Sequence, residues 1–260
     1  MIYLSRNHKY MMIKETVEYD VSIYKKAQDI IGHITRYLWN SGDKEHNGFS
    51  GIRIRRNEAM ITMLTISGNT LGLEGDESKL LFGFDLMEGY YPSGFCAKMK
   101  SGNKIIVIHC LDNLDDTETA AKRITHNPAV SAVLIHELIH YFDSKRNPQM
   151  FANSKNIEKD GNEKYFNDSS EYNAFFNNIS HPLLSFLVNT EDADNNMIRR
   201  MAKGMGISNN FKKNLERCIK NNKWLAANDY MDFLNKRNKE ALIKRLYKIH
   251  LQVIERLNRV

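Results

Sequence analysis

The stretch that most constrains this chain is AVSAVLIHELIHYFDSKR, Ala129 to Arg146. Two histidines and a glutamate sit among Val133, Leu134, Leu138 and Ile139, side chains that seek burial. At about 100° per residue, a helix brings His136 and His140 to within about 40° of each other on one face. Asp143 returns to that face, and Glu137 stands about 100° round from His136. Burying such groups without partners costs on the order of a few kcal/mol. A metal ion removes the conflict. Two imidazoles spaced i, i+4 can grip one zinc ion, while the neighbouring carboxylate stands beside an open ligand position. There it can take a proton from water and carry it to a leaving amine.

A catalytic zinc site needs a third protein ligand. The extended HExxHxxGxxH pattern requires Gly at 143 and His at 146, and this chain has Asp143 and Arg146. A later glutamate is the other route. The segment DSSEYNAFF, Asp168 to Phe176, offers Glu171 in the first turn of a helix capped by Asp168 or Ser169. Glu158 and Glu163, in the polar stretch Asn147–Asp168, and His181, before Pro182, are alternatives.

The remaining patterning predicts an α+β order. A helix is expected over Val21–Trp39 with Asp20 as its N-cap. Strands are expected at Ser50–Arg55, Ala59–Ile66, Leu80–Leu86, Gly94–Met99 and Lys104–Cys110, the last two joined through Ser-Gly-Asn. Lys104–Cys110 is nearly all apolar and suits an interior strand, which leaves Gly94–Met99 as the edge. His109, at the end of that buried strand, suits a core histidine. Asp115 and Asp116 open one helix, and Pro128 suits the first position of the next. Asn147–Asp168 is expected to be a long loop. Helices then follow at Ser169–Ile179, Pro182–Val188, Asn196–Met205, Asn209–Asn221 and Asn238–Arg259.

Charge is distributed unevenly along the 260 residues, whose net is +6. Met1–Met197 carries 21 Lys+Arg and 26 Asp+Glu, whereas Ile198–Val260 carries 16 and 5. A basic final quarter can meet nucleic acid, an acidic partner or the acidic body of its own chain. The stripe Leu242, Leu246, Ile249, Val253, Leu257 and Val260 favours a helix laid on the core over a nucleic-acid-binding arm. No apolar run reaches about 18 residues, and the opening residues lack a signal-peptide pattern. Cys96, Cys110 and Cys218 form no CxxC. The expectation is a cytoplasmic chain without a membrane segment, with an effector or virion-associated role left open. GxSxG, P-loop and GxGxxG patterns are absent from the sequence.

HELIHYFD followed by EYNAFF resembles the gluzincin metallopeptidases, which combine HExxH with a downstream Glu. Within that group the pattern is most similar to the catalytic domain of the anthrax lethal factor type and its Pro-Pro endopeptidase relatives, although Ile139 stands where the lethal factor type has Gly. The resemblance covers roughly Ser93 to Pro182. It implies a zincin-like domain with a small mixed sheet, an HExxH helix and a helical C-terminal part. It further implies Zn2+ held by His136, His140 and Glu171, with Glu137 as general base and Asp143 orienting an imidazole. Such enzymes use a tyrosine near the third ligand to stabilise the oxyanion; Tyr165 is the first candidate and Tyr172 the second. The expected organisation is an N-terminal α/β portion at 1–92, a catalytic core at 93–190 and a basic helical portion at 191–260 packed on it. The expected activity is that of a zinc-dependent endopeptidase binding a protein or peptide substrate as an extended strand. The alternative is a zinc-containing binding or effector protein whose basic C-terminal helices contact nucleic acid or an acidic protein.

Overall fold

The computed structural model describes residues 6–41, 50–56, 59–85, 93–99, 102–109, 117–148, 161–220 and 227–259. Packing divides the chain into two compact units, Ala27–Asn147 and a second formed by Met1–Lys26 with Pro148–Val260. The first helix, α1 (Arg6–Ser41), contributes residues to both. The architecture is α+β.

The unit Ala27–Asn147 is built on a five-stranded sheet. Its strands are β1 (Ser50–Arg56), β2 (Ala59–Ser67), β3 (Leu81–Asp85), β4 (Ser93–Lys98) and β5 (Lys104–His109), in the spatial order β1-β2-β3-β5-β4. Neighbours run antiparallel except β3 and β5, which are parallel. Ile105, Ile106, Val107 and Ile108 are all buried, as an apolar run requires of a strand covered on both faces. β4 is half-exposed and, among the described residues, ends the sheet. The expected edge and interior strands are therefore as the apolar patterning predicts. Between them Gly102, at φ +89°, takes the left-handed conformation that glycine adopts without strain.

Besides the C-terminal part of α1 and a short 3-10 helix at Gly75–Lys79, the described residues of this unit form two helices, α2 (Thr117–His126) and α3 (Pro128–Arg146). Asn127 caps α3 by accepting from the Ala129 amide at 3.0 Å, and Pro128 occupies the first turn as expected. The Asp115–Asp116 helix start lies outside the described residues. α3 packs against β4 and β5. Alternation along β4 turns Gly94 and Cys96 toward α3, while Phe95 and Ala97 face the cluster around Ile105 and Val107.

The second unit is helical. It comprises α4 (Asn162–Phe166), α5 (Ser169–Asn189), α6 (Asn195–Met205), α7 (Phe211–Lys220), α8 (Ala227–Phe233) and α9 (Lys236–Leu257), with the N-terminal part of α1. Buried residues surround most of α5, which makes it the central helix. α9 packs on α5 and α7 and buries Leu242, Leu246, Ile249 and Val253, the core of the stripe legible in the sequence.

Four local expectations are corrected. Asp20 is not an N-cap, because α1 begins at Arg6 and Asp20 lies buried within it, paired with Arg245. Ser169–Ile179 and Pro182–Val188 are one helix: burial of Leu183, Leu184, Phe186 and Leu187 offsets the amide that Pro182 lacks. The polar stretch after Asn147 contains the short helix α4. α8 breaks the expected gap before the last helix. Among the described helices none is long and apolar enough to cross a membrane.

Candidate metal centre

Along α3 every residue from Val133 to Ser144 is buried, including His136, Glu137, His140 and Asp143. The helix brings the two Nε2 atoms within 3.0 Å of each other, with the rings nearly perpendicular at 79°. Such an approach needs either one proton shared between the nitrogens or a cation accepting both lone pairs. Two imidazoles on a tetrahedral zinc would place these atoms about 3.3 Å apart.

Asp168 caps α5, its carboxylate accepting from the Ser170 amide at 3.0 Å and the Ser170 hydroxyl at 2.8 Å. This fixes the first turn that carries Glu171, which is 6% exposed. A carboxylate there also gains from the positive end of the helix dipole. His136, His140 and Glu171 each offer one ligand atom, and these atoms lie within 4.8 Å of one another. Two imidazoles and one carboxylate, all buried, could hold a metal ion. The donor set fits the three-ligand composition that leaves one position open.

Glu137 takes a different direction from its neighbour His136. A side-chain carbon built on Gly94 would stand 3.1 Å from the Glu137 Cγ, so the glutamate stem lies over β4. Cys96, on the same face of β4, feels the same carboxylate. Burial, reinforced by Glu137, pushes its thiol up to about 12.

Asp143 is buried one turn beyond His140 on α3. Tyr165 is half-buried at the end of α4, with its ring edge-on to Phe166 at 5.2 Å and Phe175 at 6.4 Å. The hydroxyl of Tyr172 is buried with no hydrogen-bond partner among the described residues, and burial raises its pKa, with Arg245 and Asp20 the charges acting on it. That places Tyr172 toward the Asp20–Arg245 pair.

The other ligand candidates fall elsewhere. Glu163 is exposed on α4, and Glu158 lies outside the described residues. His181 Nδ1 meets the Tyr24 hydroxyl at 2.5 Å. His109 contacts Phe95, on the β4 face turned away from α3. One residue the sequence reading missed is Tyr230, fully buried on α8 and stacked on Phe175 at 4.8 Å. Its phenol is raised chiefly by burial, then by Tyr172 and, beyond an opposing effect of Arg245, by the Glu171 carboxylate. A solitary tyrosine has no local signal that separates this position from ordinary packing. No protein-family model, curated protein or solved structure matches this chain.

Proposed function

We propose that this protein is a zinc-dependent endopeptidase of zincin-like fold. The observation that carries the reading is the buried convergence of His136, His140 and Glu171. Nitrogen, nitrogen and carboxylate donors suit zinc, which takes three protein ligands in hydrolytic sites. Zinc held there supplies the Lewis acidity that makes water a nucleophile near neutral pH and polarises a peptide carbonyl.

The protein's own residues then do the rest. His136 and His140 present Nε2 lone pairs in one direction because they share a helix face one turn apart. Glu137, beside them in sequence and lying over β4, accepts a proton from the attacking water and returns it to the departing amide nitrogen. β4 ends the sheet, so an extended peptide can pair along its outer side in the manner of an added strand. Asp143 holds an imidazole in its ligating orientation, and Tyr165 donates to the carbonyl oxygen as it gains charge.

The test couples metal content to cleavage. Purified wild type should contain one zinc per chain and cut members of a diverse peptide library. Glu137→Gln should retain the zinc and lose the cleavage. A wild type that holds zinc yet cuts nothing would favour the binding or effector protein instead.

A further inference from the structure

Arg245 of α9 makes three contacts at once. Its Nε donates to Asp20 Oδ2 at 2.9 Å, its Nη2 donates to Asp20 Oδ1, and its Nη1 donates to Asn173 Oδ1 at 2.7 Å. The guanidinium also lies over the Phe176 ring, 3.7 Å from its centroid. Asp20 comes from α1 and is 1% exposed. Asn173 and Phe176 are one turn apart on the same face of α5, and Glu171 is two residues before Asn173.

This geometry controls an axial rotation. A planar guanidinium held by a carboxylate fork has one orientation, unlike a lysine ammonium. Gripping α5 at both an amide oxygen and a ring face fixes how far that helix is turned about its own axis. A carboxylate at the rim of a helix, about 6 Å from the axis, moves by about 2 Å for a 20° turn. Metal–ligand distances tolerate about a tenth of that. We infer that the Asp20–Arg245–Asn173 clamp is a positioning device that fixes the rotation of α5 and so brings Glu171 into the metal-ligating group. The inference rests on the metal-centre reading proposed above. It gives the basic C-terminal helix a part in the site that charge counting alone does not suggest.

Cobalt(II) is the probe, because its visible absorption reports ligand number and geometry. Wild type, Asn173→Ala and Arg245→Lys are titrated with Co2+, and zinc affinity is measured by competition with a chelator. Asn173→Ala removes the hydrogen bond from Arg245 to α5 while leaving the Asp20–Arg245 pair and the Phe176 contact; Arg245→Lys keeps the charge and loses the fork. Each should bind zinc about 10-fold or more weakly and show an altered cobalt spectrum, with far-UV circular dichroism and a cooperative melt retained. Equal zinc affinity and an unchanged spectrum in Asn173→Ala overturn the positioning role alone. If Arg245→Lys melts non-cooperatively, Asn173→Ala decides the question by itself. A wild type that takes up neither Co2+ nor Zn2+ overturns the metal centre and the clamp's role together.

Discussion

The backbone of Gly94 runs directly beneath Glu137: a methyl group at position 94 would stand 3.1 Å from the glutamate Cγ, and 2.8 Å from both Val133 Cγ1 and the Val107 carbonyl oxygen. At this point the edge strand and the helix bearing the HExxH residues approach each other with no side chain between them. The Val107 oxygen is part of the sheet and cannot yield, so any relief must come from displacing α3 or bending β4.

Gly94→Ala should therefore cost about 1–3 kcal/mol through overpacking. In a chain of this size that lowers the melting temperature by several degrees. Because α3 would shift against the sheet, zinc affinity should fall as well. A melting temperature within 1 °C of wild type would show that the strand accommodates the methyl group freely.

The ligand group predicts a graded loss of metal. His136→Ala or His140→Ala removes one of two nitrogen donors and should abolish stoichiometric zinc. Glu171→Ala should weaken binding while leaving the imidazole pair intact. Metal analysis after dialysis measures this, and full zinc occupancy in Glu171→Ala would remove that residue from the coordinating set.

The two described cysteines set an alkaline limit to stability. Burial raises the thiols of Cys96 and Cys218 to about 12, with Glu137 adding to the effect at Cys96. An unfolded thiol titrates near about 8.5. Between these values the folded state keeps protons that the unfolded state releases. Their contribution is thus complete below about pH 8.5 and is lost as pH rises toward 12. Urea melts of a Cys110→Ser protein should show stability declining from pH 8.5 to 10.5, and its two remaining thiols should react slowly with Ellman's reagent at pH 8. Rapid reaction of both thiols in the folded protein would contradict the shifts.

The pair of Asp20 and Arg245 predicts an asymmetry between single and double substitutions. Arg245→Met leaves the Asp20 carboxylate buried without its cation and should cost about 3–5 kcal/mol. Asp20→Leu combined with Arg245→Met should recover much of that, because the uncompensated charge is gone. Denaturant melts of the single and double variants measure the difference. A double variant no more stable than Arg245→Met would show that the loss comes from packing.

Deleting 238–260 removes Leu242, Leu246, Ile249 and Val253 from the core along with Arg245. The surfaces of α5 and α7 on which α9 packs become exposed, and the protein should lose its cooperative melt or precipitate. A truncated chain that melts like wild type but loses salt-sensitive affinity for DNA would identify the tail as a separate binding element.

The features legible in the sequence are those encoded within a turn or two of chain. The i, i+4 histidines, the cap before Glu171, the nearly all-apolar β5 and the stripe of α9 each follow from local periodicity or capping chemistry, which short segments carry in themselves. What only the tertiary structure decided depends on distant partners. Asp20 has the residue type of an N-cap, yet its carboxylate is bound by a guanidinium 225 residues away. Pro182 looks like a helix boundary, yet burial on both sides carries α5 through it. Tyr230 gains its place near Glu171 from α8, a helix too short for its periodicity to show. Helix caps and amphipathic stripes are local free-energy terms, whereas ion-pair partners and the burial that outweighs a missing amide exist only once remote segments have packed together.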